Sequence, residues 1–171
     1  MKSVLIDTSS AILLFKSGWF DATLDHYRLR TGRAAVRELT VPGYPGAAFF
    51  QGLVEQGRID VLPAAAGPET RDPDLAGMGP GERECIQHYL TGAGQFILMD
   101  DGRGATYCRD NNIPYVNALL MPRILALADP VIARQGVSGA MAQIYRLGRY
   151  APWILDFARD CADEVLTPFR P

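Results

Sequence analysis

Histidine and cysteine are scarce in this chain. Its two histidines, His26 and His88, are isolated, and its three cysteines, Cys85, Cys108 and Cys161, show no metal-ligand spacing. A Cys/His zinc site and a disulfide framework are thereby excluded, and reduced thiols in a cytoplasmic protein are the simplest reading. Long apolar runs are also missing: Lys16 interrupts the first, and Asp100-Asp101 end another. No segment therefore reaches membrane-spanning length, and no membrane partner is expected. The N-terminus lacks the basic-then-apolar order of a signal peptide. A net charge of only −2 argues against blanket affinity for nucleic acid, while leaving room for a basic patch beside an acidic site. There is no internal repeat, no low-complexity tract and no convincing Ser/His/Asp or Cys/His set for nucleophilic catalysis.

What is there fits one ordinary globular domain. The chain has 171 residues, enough for a substantial core, and 48% hydrophobic and 21% charged residues. Its first stretch organises the rest. Val4, Leu5 and Ile6 make an apolar run of strand type that stops at Asp7. Thr8, Ser9 or Ser10 then offers a hydroxyl to cap a following helix. In an open α/β sheet ligands bind in the crevice beyond the strand carboxyl ends, so Asp7 is a site candidate.

Apolar spacing predicts a helix over 19–27, then a strand or extended connection over 28–33 and a helix over 34–39. A further amphipathic helix over 46–56 closes at Gly57, and residues 59–62 alternate as a short strand. Residues 64–81, rich in proline and glycine, are expected to be a surface loop with at most one helical turn. A helix over 82–90, a buried strand over 96–99, a helix over 105–110 and a strand over 113–116 follow. That rhythm implies right-handed crossovers and parallel pairing. From 118 to 166 the chain reads as helix, broken near Pro130, Gly136 and Pro152.

Several acids share one topological character. Asp7 ends one expected parallel strand and Asp100 and Asp101 end another, while Glu82 opens the helix feeding the second strand and Glu38 lies on the helix after the first crossover. Strand-end acids of a parallel sheet emerge on one edge, where mutual repulsion favours a bound cation. An oxygen-only donor set suits Mg²⁺ or Mn²⁺. Each acid also has a plainer reading. Glu82 can serve its helix dipole, Asp100 or Asp101 can cap a helix, and Glu38 can be a solvated residue paired with Arg37.

Four blocks in order, Leu5-Ile6-Asp7-Thr8-Ser9, Val36-Arg37-Glu38-Leu39, Gly81-Glu82-Arg83-Glu84-Cys85-Ile86 and Leu98-Met99-Asp100-Asp101-Gly102-Arg103-Gly104-Ala105, resemble the acidic blocks of PIN-domain proteins. The closest likeness is to the VapC-like toxin branch, with its Gly-Glu-x-x-x-Ile and Asp-Asp segments. The resemblance implies an α/β fold, a three-layer α/β/α sandwich around a short central parallel sheet. It runs from Met1 to about Leu127, and the domain expected from it spans residues 1–128, with 129–171 expected as a C-terminal helical extension packed on the same domain. It further implies a Mg²⁺- or Mn²⁺-dependent endoribonuclease that hydrolyses RNA phosphodiester bonds as the toxin of a type II toxin–antitoxin pair. By position, Asp7, Glu38, Glu82, Asp100 and Asp101 would be catalytic, with Asp7, Glu82, Asp100 and Asp101 on the metal. Thr8, Ser9, Arg103 and Asn117 would lie along the substrate. Implied partners are RNA, a cognate antitoxin and a second copy in a homodimer.

The chain departs from the family pattern in three places. Gly102 separates the acid pair from Arg103, Asn117-Ala118 stand where a small residue or glycine is usual, and residues 129–171 extend beyond the compact toxins. Metal-assisted hydrolysis needs no nucleophilic side chain. Arg28, Arg30, Arg33, Arg37, Arg103 and Arg109 are candidates for phosphate contacts. One rival, an aspartyl-nucleophile phosphotransferase at Asp7, would want an acid two residues on, where Ser9 stands. The other rival is a catalytically inactive PIN-like scaffold acting through protein–protein contacts by way of its helical tail.

Overall fold

The computed structural model describes residues 1–64 and 72–171. Five strands, β1 (Ser3–Ile6), β2 (Arg28–Gly32), β3 (Asp60–Leu62), β4 (Phe96–Leu98) and β5 (Tyr115–Val116), form one sheet in the order β3-β2-β1-β4-β5. Every neighbouring pair is parallel. The chain builds outward from β1 to β3 on one side, then returns to the other side of β1 to lay down β4 and β5. The order therefore reverses between β1 and β4, which places a crevice beyond their carboxyl ends.

The alternation of β1 and β4 sends apolar residues to both faces. Val4, Ile6, Phe96 and Leu98 enter one buried cluster, and Leu5, Ile97 and Met99 enter another. The first cluster is filled from α1 (Thr8–Lys16), α2 (Phe20–His26), α3 (Arg33–Leu39) and α4 (Ala47–Glu55), through residues such as Leu14, Phe20, Leu39 and Phe50. The second is filled from α5 (Pro73–Ala76), α6 (Pro80–Leu90) and α7 (Gly102–Asp110), through Leu75, Cys85, Ile86 and Cys108. The molecule is thus an α/β protein with apolar clusters on both sides of an all-parallel sheet.

Of the loop expected over 64–81, residues 65–71 lie outside the described residues. The described remainder forms α5 and the start of α6, which begins at Pro80 rather than at 82 because proline is favoured in a first helical turn. Gly57 follows α4 with φ of 65°, the left-handed conformation that ends helices cheaply only in glycine.

After β5 the chain continues through a 3-10 turn (Ala118–Leu120), α8 (Met121–Ala126), α9 (Pro130–Ala133), α10 (Val137–Leu147), α11 (Pro152–Asp160) and α12 (Asp163–Leu166). Ile132, Met141, Ile144, Ala158 and Leu166 belong to the same apolar cluster as Val4 and Ile6. Arg123 ties α8 to the tail by donating to the Ala158 carbonyl at 2.9 Å and to Asp163 at 2.7 Å. The Tyr27 hydroxyl donates to the Phe169 carbonyl at 2.6 Å, so the last residues fasten to the core. Among the described residues no helix is long and apolar enough to cross a membrane.

Candidate functional site

Asp7 is the first residue beyond β1 and the N-cap of α1. Its Oδ1 accepts from the Ser10 backbone N–H at 2.7 Å. The side chain is 1% exposed, and its other oxygen, Oδ2, has no hydrogen-bond partner among the described residues. Burying a carboxylate oxygen unpaired is costly, so the charged form is disfavoured. Burial first, then the Asp100 charge, pushes the Asp7 pKa up from 3.8 to about 7; Glu82 adds to the rise, against the lowering bonds from Ser10.

Asp100 lies two residues beyond the end of β4, across the switch point. Its Oδ2 accepts from the Ser10 hydroxyl at 2.6 Å and from the Ala118 N–H at 2.8 Å. Its Oδ1 accepts from the Tyr150 hydroxyl. Burial raises the pKa of this carboxyl, against the lowering effect of those three donors. Ser10 therefore holds both strand-end acids, one through its N–H and one through its hydroxyl.

The remaining acids stand around this pair. Thr8 donates to Glu38 Oε2 at 2.6 Å. Gly81 lies against both, since a Cβ there would sit 3.0 Å from Thr8 Oγ1 and 3.3 Å from Glu38 Oε2. Glu82, in the first turn of α6, has a pKa raised by burial and then by the Asp101 charge, with a smaller rise from Glu38. Asp101 caps α7, its Oδ1 accepting from the N–H groups of Arg103 and Gly104 at 2.8 and 3.2 Å. The helix-cap reading is thus realised for Asp101 while its carboxylate still faces Glu82. Ser9 is half-buried on α1, with no described hydrogen bond from its hydroxyl. Asn117 follows β5 beside Ala118, and its Oδ1 is a second buried oxygen without a partner among the described residues.

The arginines divide by sheet edge. Arg28 begins β2 at the amino end, opposite the acids, and pairs with Asp60 at 2.7 Å. Arg30 reaches the same Asp60 at 3.6 Å and donates to the Ala93 carbonyl. Arg109 sits at the far end of α7, paired with Asp110. These three are not placed to meet phosphate at the acidic edge. Arg33 and Arg37 on α3, and Arg103 on α7, are exposed on helices that start from or flank that edge. The Arg103 guanidinium donates to the Gly77 carbonyl at 2.8 Å, along a groove that Met78, Thr106 and Tyr107 also line. This groove begins beside Asp101 and does not include the acid pair.

The donor chemistry fits a hard divalent cation. It is all oxygen, it carries repelling carboxylates, and Asp7 Oδ2 is a buried oxygen that no described residue binds. As the side chains stand, no group of three or more His, Cys, Asp or Glu among the described residues is arranged to hold an ion. The fit therefore rests on the Asp7–Asp100 pair, with Glu82 as the next acid to bear on it.

Two residues of this constellation were not expected in these roles. Ser10 was legible only as one of three possible cap hydroxyls, although a serine three residues after a strand-end acid has the spacing to reach back. Tyr150 carries no local signal, because it meets Asp100 from fifty residues away. Comparison with known protein families, curated proteins and solved structures found no match to this chain.

Proposed function

We propose that this chain is a Mg²⁺- or Mn²⁺-dependent endoribonuclease of PIN type, acting in the cytoplasm as the toxin of a type II toxin–antitoxin pair. The observation that carries the reading is the buried, unpartnered Asp7 Oδ2 at the carboxyl end of the central strand, beside Asp100 across the topological switch point. The ordered resemblance of the four acidic blocks supports it.

Asp7 and Asp100 would hold the cation, with Glu82 joining them by a small side-chain movement and Asp101 and Glu38 adding negative charge around them. A divalent ion bound there supplies an activated water and a counter-charge for the leaving oxygen. Ser10 fixes the spacing of the two principal carboxylates, and Thr8 holds Glu38 toward α6. Arg33, Arg37 and Arg103 would take backbone phosphates, so RNA binding would weaken steeply with salt. Thr8, Ser9 and Asn117 border the strand-end crevice and would meet the substrate near the scissile bond. On α11, Trp153 at 68% and Phe157 at 46% exposure offer an apolar surface for an antitoxin or a second copy in a homodimer.

The test is cleavage of a panel of structured RNAs in Mn²⁺ or Mg²⁺ buffer. Cleavage that both EDTA and Asp7→Asn abolish is the expected outcome. Cleavage that survives Asp7→Asn would overturn the assignment. The inactive-scaffold reading is favoured by one observation, the three protein donors already on Asp100, and it predicts no cleavage and no ion binding.

A further inference from the structure

A carboxylate oxygen has two lone pairs in the plane of the group. At Asp100 both on Oδ2 are taken, by the Ser10 hydroxyl at 2.6 Å and the Ala118 N–H at 2.8 Å. A cation can therefore reach this residue only through Oδ1. That oxygen accepts from the Tyr150 hydroxyl. Tyr150 belongs to the short irregular connection between α10 and α11, where Gly148 is extended and Pro152 opens the next helix. Its ring stacks on Tyr145 at 6.2 Å and 15°. It also lies directly over Gly148, where an added Cβ would come within 2.3 Å of Tyr150 Cε2. The hydroxyl is close enough to feel the charge of Asp7 as well as that of Asp100. It thus stands at Asp100, within electrostatic reach of Asp7 and hydrogen-bonded also to the Leu119 backbone.

We propose that Tyr150 is a displaceable cap on the acid pair: its hydroxyl takes one of the two lone pairs on the only Asp100 oxygen open to a divalent cation, and it yields that position when the cation binds. The inference rests on the cation-site reading given above and assigns the C-terminal segment a role in setting the affinity of that site. The geometry favours a cap because Arg149 and Tyr150 lie between the Gly148 N–H bond to the Ile144 carbonyl that closes α10 and the Ile154 N–H bond to the Ala151 carbonyl that opens α11, and neither makes a described backbone–backbone hydrogen bond of its own. Ser10 and Ala118 already orient the carboxylate, so a third donor is not required to hold it.

Mn²⁺ titration calorimetry on the full chain, comparing wild type with Tyr150→Phe and Gly148→Ala, tests this. Tyr150→Phe removes the competing hydroxyl. Gly148→Ala keeps it but drives the ring off its seat, so the two variants reach the same end by separate routes. Both are expected to bind Mn²⁺ about tenfold to hundredfold more tightly than wild type, the scale of one hydrogen bond to a charged group. In wild type, adding Mn²⁺ should also speed hydrogen exchange of the amides at 149–151. Equal or weaker binding in both variants, with wild type binding normally, overturns the cap and leaves the cation site standing. Absence of Mn²⁺ binding in all three proteins overturns the cation site, and the cap with it.

Discussion

The Ser10 hydroxyl donates to Asp100 Oδ2 at 2.6 Å, while the N–H of the same residue donates to Asp7 Oδ1 at 2.7 Å. One residue in the first turn of α1 thereby couples the ends of the two central strands. Ser10→Ala keeps the N–H and the helix but deletes the hydroxyl. Asp100 then loses one of its three donors in a part-buried setting. A loss of about 1–2 kcal/mol in stability is expected, with weaker Mn²⁺ binding because the carboxylate is freer to turn. Urea unfolding and calorimetry on the same preparation measure the two effects.

The pH dependence of stability follows from Asp7. Burial and its acidic neighbours raise its pKa from 3.8 to about 7 in the folded protein. Between these values the folded state holds a proton that the unfolded chain has released. The contribution of Asp7 to stability is therefore full below pH 4, falls as pH rises, and is at its lowest above pH 7. The raised carboxyls of Asp100 and Glu82 act in the same direction. Thermal melts in EDTA should show a melting temperature that drops by several degrees from pH 4 to pH 8. Asp7→Asn should flatten much of that drop and melt above wild type at pH 8. A wild-type curve that rises over this range would contradict the burial argument.

Gly81→Ala probes the outer acids. The new methyl would lie 3.0 Å from Thr8 Oγ1 and 3.3 Å from Glu38 Oε2, displacing the bond between them. Alanine also favours α6 by up to about 1 kcal/mol, which offsets the crowding. Global stability should therefore change little while RNA cleavage falls at least severalfold. Melting temperature and cleavage rate measured side by side separate these effects.

The tail is part of the core, which gives a packing prediction. Ile144 on α10 is fully buried in the cluster that contains Val4, Ile6 and Leu14. Ile144→Ala should cost about 2–5 kcal/mol, as for other large-to-small changes in close-packed interiors. Equilibrium denaturation would show this as a lower midpoint with an unchanged slope.

Much of the scaffold was legible because it follows short-range rules. The apolar runs ending in Asp7 and in Asp100-Asp101 mark β1 and β4, and the proposed parallel pairing is present between them. β2 was ambiguous because Arg28 and Arg30 break its apolar character; tertiary pairing with both β1 and β3 makes it a strand. α7 starts at Gly102, three residues before its expected start, because two glycines hide a helix that the Asp101 cap stabilises. That Asp7 and Asp100 stand at the carboxyl ends of neighbouring strands was readable from topology alone. The individual partners of the acids were not: Thr8 on Glu38, Ser10 on Asp100 and Tyr150 on Asp100 are side-chain contacts between distant segments, and no local pattern encodes them. The same limit applies to the arginines, whose six candidates differ in sheet edge rather than in sequence context.

The central claim is that Asp7 and Asp100 form one cation site. Its most direct test is Mn²⁺ calorimetry at pH 8 on wild type and Asp7→Asn, with thermal melts confirming that both are folded. Saturable binding by wild type that the variant loses is the predicted result. No binding by wild type, or equal binding by both proteins, would contradict it.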